Sequence, residues 1–252
     1  MTSQVDKKRG LTLYQKQNIA GWLFLLPATI LILVFSFYPM VMAFVRSLQT
    51  GVEPNNKFAG LANYQHLLDD PIFKQAMLNT FIYLIIQVPV MLVLALIFAS
   101  LINQRFLKGR SFFRTAIFLP CATALVSYTI IFRSMFSVDV LITRFFMWIG
   151  VLDQGVNWLS NAPTARAVII IALLWRWTGY NMIFYLSGMQ ALDPSVYEAA
   201  RIDGASAYQQ FTKITIPLLK PIILMTAVMS TSGTLQLFDE SVNLTNGGPG
   251  NQ

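Results

Sequence analysis

The feature that most constrains this chain is a long stretch without any charged side chain. It runs from residue 17 to residue 45 and is almost entirely apolar. A helix needs about 20 such residues to cross the hydrocarbon core of a bilayer. The stretch is longer than the apolar region of a signal peptide, which has about 7–15 residues, and no small-residue cleavage site follows it. It therefore predicts a retained membrane helix, kinked at Pro27 and Pro39.

Four further apolar runs predict an all-helical, polytopic membrane protein. The five predicted spans cover residues 19–45, 80–102, 115–135, 166–190 and 219–239. No run alternates in segments of about 10 residues, so a membrane β-barrel is not predicted. Residues 140–152 are apolar but too few to span, and they are predicted to lie in the interface or pack on the bundle. Only 12% of the residues are charged, against about 25% in soluble domains, which agrees with lipid exposure.

Positive charges in the short loops predict the orientation of these helices. With a cytoplasmic N-terminus, the cytoplasmic segments hold most of the 18 basic residues, namely Lys7, Lys8, Arg9, Lys16, Arg105, Lys108, Arg110, Arg114, Arg201, Lys213 and Lys220. Basic loops tend to stay on the cytoplasmic side of a membrane. Residues 1–18 are therefore predicted to be a cytoplasmic tail, and the turn-rich segment from Thr245 to Gly250 is predicted to lie outside.

Several classes of protein are disfavoured by what the chain contains. Cys121 is the only cysteine and His66 the only histidine, so no intrachain disulfide, metal site or catalytic residue is predicted. The net charge of +7 is scattered between apolar runs and forms no basic face, so nucleic acid is not a predicted partner.

The loop between the fourth and fifth predicted spans, about residues 193–219, carries strong helix signals. Asp193 is an N-cap residue followed by proline at the first helical position. Gly204 suits the end of that helix, and Ser206 opens a capping-box pattern for a second helix. Pro217 is predicted to end the second helix. The loop is therefore predicted to be helix–Gly–helix, lying across the membrane face.

This loop also matches a known pattern. Its matching positions are Glu198-Ala199-Ala200, Gly204, Ile214, Ile216 and Pro217. They resemble the EAA loop, E-A-A-x3-G-x9-I-x-L-P, of binding-protein-dependent ABC importer permeases, and Ile216 in place of leucine keeps its position apolar. The flanking residues resemble the sugar-importer branch, of which the maltose transporter is the best-known member. Matching landmarks elsewhere are Phe58-x-Gly60-Leu61-x-Asn63-Tyr64, Asn79-Thr80 and Thr245-Asn246-Gly247-Gly248-Pro249.

The resemblance implies an ABC type I importer-like transmembrane domain, residues 19–252, in the plasma (cell inner) membrane. The loop residues implied to couple it to an ATPase are Glu198, Ala199, Ala200, Asp203, Gly204, Ile214 and Pro217. The implied partners are a second homologous permease, two ATP-binding cassette ATPase subunits, an extracytoplasmic solute-binding protein and the lipid bilayer. No G-x-x-x-x-G-K-[ST] sequence is present, so the chain is predicted to be no enzyme, with ATP and Mg²⁺ on the partner ATPase. The family usually has a sixth span after the Gly-Gly-Pro turn. Its absence suggests a truncated sequence, with a shortened natural subunit as the alternative.

Polar side chains inside the fourth and fifth predicted spans are candidates for a substrate pathway, because polar groups in a membrane usually face a bundle interior or water. Aromatic rings can stack on sugar faces, while amides and hydroxyls bond the rims. In the resembled family, the helices flanking the coupling loop line part of the path. The predicted pathway residues are Trp177, Tyr180, Asn181, Thr234 and Gln236. Interfacial anchoring and helix packing are the alternative roles.

Arg176 allows three interpretations. It could attract an anionic substrate such as a phosphorylated polyol, pair with Asp239 or Glu240, or snorkel to the interface. Pairing is favoured.

The predicted function is import of a mono-, di- or oligosaccharide, with glycerol phosphate as the non-sugar alternative. An ion-gradient-driven transporter would need acids within its spans, and here they lie in loops or at span ends. A membrane-embedded enzyme would need a cluster of acids or histidines at the interface, and the sequence shows none. For the loop, the alternative is an interfacial amphipathic helix without a partner.

Overall fold

A computed structural model describes residues 12–51, 55–104, 106–138, 140–150 and 154–248. The chain forms two compact units, divided between Asp70 and Pro71. The helices are α1 Leu13–Ile32, α2 Tyr38–Ser47, α3 Ala62–Asp69, α4 Pro71–Asn103, α5 Arg110–Ala122, α6 Leu125–Met135, α7 Leu141–Trp148, α8 Ala162–Gln190, α9 Pro194–Ile202, α10 Ala207–Gln210, α11 Ile216–Leu235 and α12 Asp239–Thr245. The other elements among the described residues are two π-helical segments, Leu33–Phe37 and Phe211–Thr215, and two strands, β1 Gln49–Thr50 and β2 Lys57–Phe58.

Some of the positions used in the sequence predictions lie outside the described residues. They are Lys7, Lys8, Arg9, Arg105, Pro249 and Gly250, together with most of the predicted tail and the end of the apolar stretch 140–152.

The first unit begins with one continuous helical stretch, Leu13–Ser47, which contains the first predicted span. No residue is buried in α1, in α2 or in the π segment between them. A helix that is apolar on all sides and has no buried face suits contact with lipid. The π segment Leu33–Phe37 lies just before Pro39, and the Tyr38 N–H donates to the Leu33 carbonyl five residues back. A wider turn there accommodates a proline, which lacks an N–H.

The segment after α2 is tied back to the end of that helix. Strands β1 and β2 pair antiparallel, with Gln49 opposite Phe58. The Asn63 side chain donates to the carbonyls of Ser47 and Gln49 at 2.9 and 2.8 Å. The Tyr64 hydroxyl lies 2.6 Å from the Ser47 Oγ. The landmark from Phe58 to Tyr64 therefore has a structural role here, because its polar side chains close the loop.

The second unit is built around α8 and has two buried clusters. The first cluster joins α4, α6, α8 and α12 through Tyr83, Tyr128, Phe132, Phe136, Val168, Ile169, Ala172, Leu173 and Leu244. The second joins α4, α8 and α11 through Ala95, Ala99, Ile102, Met182, Tyr185, Leu186, Met189 and Leu219. Helices α4 and α8 both run from the first cluster to the second, so they are parallel, and α11 starts at the second cluster and returns.

The two basic loops of the predicted cytoplasmic side meet at the same end of this unit. Leu107, in the loop before α5, packs against the second cluster. The loop at residues 193–219 leaves that cluster after Met189 and returns to it at Leu219. The cytoplasmic location of this end stays a prediction.

The third predicted span is a bent pair of helices rather than one rod. α5 ends at Ala122 and α6 begins at Leu125, with a bend of 99° between them. Pro120 in the last turn of α5 lacks a backbone donor. Thr123 is extended, and its hydroxyl donates to the Pro120 carbonyl at 2.6 Å. This local hydrogen bond competes with continuation of the helix, so the bend has a local cause in the sequence.

Within the described residues, four continuous stretches are long and apolar enough to cross a membrane, and the bent pair makes five if it counts as one span. The second and fourth predicted spans lie inside α4 and α8, which begin earlier, at Pro71 and Ala162. In the described part of the apolar stretch 140–152, which ends at residue 150, the only helix is the short α7. The Thr143 hydroxyl of α7 accepts a hydrogen bond from the Trp158 indole at 2.9 Å, so this helix packs on its neighbours.

Pro217 does not end the second loop helix, so that prediction was wrong. The stretch Ala207–Leu235 is continuous and joins the loop to the fifth span. Its π segment Phe211–Thr215 lies just before the proline, and the Ile216 N–H donates to the Phe211 carbonyl. The wider turn relieves the crowding between the proline ring and the carbonyl four residues back, so the helix can pass the proline.

Candidate coupling loop and translocation cavity

The first half of the loop is the helix α9, capped at both ends. The Asp193 carboxylate accepts a hydrogen bond from the Ser195 N–H at 2.9 Å. Hydrogen bonds from the Ser195 backbone, and then from its side chain, lower the pKa of Asp193. At the other end, the Ala205 N–H donates to the Ala200 carbonyl at 2.9 Å, and Gly204 has φ +76°. This is a Schellman motif, which needs a left-handed residue at the position of Gly204.

The second half of the loop begins with a capping box. The Ser206 Oγ accepts from the Gln209 N–H at 3.3 Å, and the Gln209 side chain accepts from the Ser206 N–H at 2.8 Å. The predicted cap positions of both loop helices are therefore confirmed, with Asp193, Gly204 and Ser206 in the roles expected of them.

The predicted coupling residues fall into two groups. Glu198, Ala199, Asp203 and Gly204 are exposed on or just after α9, and Ala200 is half-buried there. Ile214 lies half-buried in the π segment and Pro217 lies exposed at the start of α11.

Exposed apolar side chains accompany the first group. Ile202 is 86% exposed and Tyr208 is 76% exposed. The loop therefore offers a mixed polar and apolar surface at the end of the bundle.

One contact between the two halves of the loop was not predicted from the sequence. The Tyr197 hydroxyl lies 2.9 Å from the Thr215 Oγ, and Thr215 is buried. This contact joins α9 to the residue that directly precedes α11. Tyr197 lies next to Glu198 of the matched pattern. No local sequence pattern around a helical tyrosine predicts a hydrogen-bond partner 18 residues away.

The second unit contains a cavity of about 450 Å³, lined by α4, α6, α8, α11 and α12 and by the segment between α11 and α12. The structure brings all five predicted pathway residues together on its wall: Trp177, Tyr180, Asn181, Thr234 and Gln236.

Asn181 and Thr234 take part in hydrogen bonds between helices. The Thr234 hydroxyl donates to the Gln87 Oε1 at 3.0 Å. The Asn181 Oδ1 accepts from the Ser230 hydroxyl at 3.4 Å, and its Nδ2 donates to the Trp177 carbonyl at 3.1 Å. Helix packing, the alternative role, therefore describes part of what these two residues do.

The aromatic wall and Gln236 are more open. Trp177 and Tyr180 are half-buried, and their rings meet edge to face at 5.9 Å. Gln236 is exposed, and its amide donates to the Ser232 hydroxyl at 3.3 Å. It follows the last residue of α11 rather than lying inside a span. These side chains can turn toward a solute in the cavity.

Arg176 also lines the cavity, and its contacts differ from the favoured interpretation. Its guanidinium carbon lies 4.5 Å from the centre of the Tyr128 ring and 5.3 Å from that of Trp177. The Nε and Nη1 atoms are buried and have no hydrogen-bond partner among the described residues. At these two atoms the predicted pairing with Asp239 or Glu240 is not formed. Cation–π contacts hold the side chain instead.

The lining residues that were not predicted as site residues include one buried amide and two acids. Gln87 of α4 is buried, and Asp239 and Glu240 begin α12. Gln87 carried a usable signal, because an amide inside an apolar span usually faces the bundle interior. The acids follow the fifth predicted span, and nothing in the sequence shows that the chain folds back over the cavity there. Elsewhere in the described residues, no group of three His, Cys, Asp or Glu side chains could hold a metal ion.

An apolar helical bundle with a polar cavity inside it is the architecture of a membrane permease. The chain belongs to the family described as binding-protein-dependent transport system inner membrane component, which matches residues 71–251. It is therefore a multi-pass, inner-membrane transport component and not an enzyme.

Known proteins support this assignment. The lactose transport system permease protein LacF of Rhizobium radiobacter is 49% identical over 236 residues, covering 93% of this chain and 79% of LacF. The arabinooligosaccharides transport system permease protein AraP of Halalkalibacterium halodurans is 35% identical over 246 residues, covering 96% and 77%. A bacterial alginate ABC transporter, solved with an alginate pentasaccharide-bound periplasmic protein, superposes with a TM-score of 0.78 at 26% identity, covering 91% and 77%.

Proposed function

We propose that this chain is the transmembrane permease subunit of an ATP-binding-cassette importer for a carbohydrate. Its cavity forms part of the translocation path, and the loop at residues 193–219 receives the movement of a separate ATPase. The observation that carries the proposal is the continuity of Ala207–Leu235, which joins the loop at one end to the cavity wall at the other.

The chemistry of the cavity supports a carbohydrate. Amides and hydroxyls from α4, α8 and α11 share its wall with the rings of Trp177 and Tyr180. Such a wall can bond hydroxyls and stack on ring faces at once. The similar proteins are named for lactose, arabinooligosaccharides and alginate, all of which are carbohydrates.

The geometry of the loop supports mechanical coupling. A partner that grips the exposed face of α9 around Glu198 also moves Thr215, because Tyr197 holds that residue at 2.9 Å. Thr215 adjoins α11, whose other end carries Thr234 at the cavity. Movement at the loop therefore reaches the cavity through one rigid element, which is what alternating access requires.

The assembly proposed for the chain follows the family. A second homologous permease closes the path, two ATP-binding cassette subunits hold ATP and Mg²⁺, and an extracytoplasmic solute-binding protein delivers the sugar. The alginate transporter, solved with its periplasmic protein, supports the last of these partners.

Replacing Tyr180 and Gln236 together by alanine should lower uptake at least tenfold, because two open contacts of the cavity wall are lost. A tenfold change corresponds to about 1.4 kcal/mol. Uptake of labelled lactose and arabino-oligosaccharides is measured in proteoliposomes that contain the permeases, the ATPases and the binding protein. Recovery of the purified assembly should stay at the wild-type level.

Tyr38→Ala is the matched control, since Tyr38 is 63% exposed on α2 and does not line the cavity. The control should transport as wild type does. Unchanged uptake by the double variant, in an intact assembly, would remove these residues from the path.

A further inference from the structure

The loop between α4 and α5, together with the first turn of α5, forms a basic surface. Lys108, Arg110 and Arg114 lie there close together, and residues 71–138 contain no Asp or Glu. Lys108 and Arg114 are exposed, and Arg110 is half-buried. Within the part of the chain that the structure describes, none of the three forms an ion pair with an acid. Their positive charge is therefore not neutralised by the described residues.

Exposed aromatic side chains accompany these cations. Phe106 is 95% exposed and Phe112 is 72% exposed. The rings of Phe112 and Phe113 meet edge to face at 5.7 Å. Cations next to large apolar side chains are typical of segments that lie at the boundary between lipid headgroups and acyl chains. The composition of the surface therefore suits a membrane interface.

The length of the loop keeps these side chains close to the membrane surface. α4 ends at Asn103 and α5 begins at Arg110, so six residues connect two helices that belong to predicted spans. Six extended residues reach at most about 20 Å, and a loop that leaves and returns rises by no more than about half of that distance. The headgroup layer is itself about 5–7 Å thick. Leu107 packs against the second cluster, which holds the loop against the bundle.

We propose that the surface Phe106–Arg114 binds the headgroups of anionic phospholipids. Its cations bind phosphate oxygens, arginine through paired N–H groups and lysine as a point charge. Phe106 and Phe112 enter the apolar layer beneath the headgroups. Juxtamembrane basic residues are attracted to an anionic leaflet in this way. The interaction goes beyond the proposed transport function and does not depend on which solute is carried.

The test measures lipid preference in nanodiscs that contain equal amounts of phosphatidylglycerol and phosphatidylcholine. The full chain is purified with its partner subunits, and the lipids that stay bound are counted by native mass spectrometry. The wild type should prefer phosphatidylglycerol by about threefold, and Lys108→Gln/Arg110→Gln/Arg114→Gln should lose most of that preference. Lys108→Arg/Arg110→Lys/Arg114→Lys keeps the charge and should keep the preference.

A second triple variant separates this surface from positive charge in general. Lys57→Gln, Lys74→Gln and Arg144→Gln together remove three exposed cations from other surfaces of the chain and should leave the preference unchanged. Should the neutralised α4–α5 variant fail to assemble, Lys108→Gln/Arg114→Gln is measured instead, because both of its side chains are exposed.

An unchanged preference in the neutralised α4–α5 variant, or an equal loss in the second triple variant, overturns the proposal. Loss of the ATPase from the assembly with the lipid preference unchanged also overturns it, and assigns the surface to a protein partner. Each of these results leaves the proposed function standing, because the residues changed neither line the cavity nor belong to the loop at residues 193–219.

Discussion

Alanine in place of Gly179 should prevent the second unit from packing and cause a large loss of folded protein. A Cβ at this position would lie 1.9 Å from the Ile117 carbonyl oxygen, and 2.9 Å from the Phe118 Cα. These are backbone atoms of α5, so no side-chain rotation can relieve the contact. Helices α5 and α8 would have to separate, and overpacking of this kind typically costs about 1–3 kcal/mol or more.

Two other glycines provide matched controls. At Gly188, a Cβ would meet the ends of Ile222 and Leu219 side chains at 2.4 and 2.7 Å, which can rotate away. At Gly233 nothing lies within 4 Å. Gly188→Ala should therefore cost less than Gly179→Ala, and Gly233→Ala should gain up to about 1 kcal/mol from helix propensity.

The measurement is the yield of monodisperse protein and its midpoint of thermal unfolding in detergent. The order of stability should be Gly233→Ala, Gly188→Ala, Gly179→Ala, from highest to lowest. A Gly179→Ala protein as stable as the Gly233→Ala protein would contradict the close approach of α5 and α8.

This approach marks a limit of prediction from sequence. Apolar runs and charge predicted the class of protein and the approximate place of each helix, because lipid imposes both length and hydrophobicity. Which glycine lets two helices touch depends on the rotation of α8 about its axis. That rotation is set by packing along the whole helix, so no local pattern at Gly179 reveals it.

The effects of two prolines on helix continuity were predicted wrongly, for a related reason. Pro217 was expected to break a helix, yet a π segment lets the helix continue through it. Pro120 was placed inside a continuous span, yet the chain turns by 99° after it. The two prolines differ in the backbone conformation beside them. A wider π turn precedes Pro217, whereas the extended residue Thr123 follows Pro120. The residue type alone does not decide between these outcomes.

The candidate site was predicted in part. All five residues expected along the path line one cavity. For the four that lie within α8 and α11 this follows from the tendency of polar side chains in spans to face inward, whereas Gln236 follows the end of α11. The caps of the loop followed from local hydrogen bonding and were also predictable. Gln87, the two acids of α12 and the Tyr197–Thr215 contact depend on chain segments far apart in sequence, and these required the structure.

The second large effect is expected at the coupling loop, in the double variant Glu198→Lys/Gly204→Asp. Lysine reverses the charge of an exposed residue of α9. Gly204 has φ +76°, so a side chain there is strained although nothing lies within 4 Å of its Cβ position. The Schellman motif that ends α9 should loosen, while the bundle below stays packed. Recovery of the ATPase with the tagged chain, and sugar uptake, should each fall at least tenfold.

A control with the same chemistry elsewhere separates coupling from general damage. Asp69→Lys/Gly247→Asp reverses the charge of an exposed acid and substitutes a glycine with φ +89° and nothing within 4 Å, both outside the loop. Co-expression with the neighbouring genes, followed by affinity purification, measures ATPase recovery for both variants. The control should retain the ATPase and transport. If the loop variant retains both as well, α9 is not where the ATPase acts, and force must reach the cavity by a route other than the Tyr197–Thr215 contact and α11.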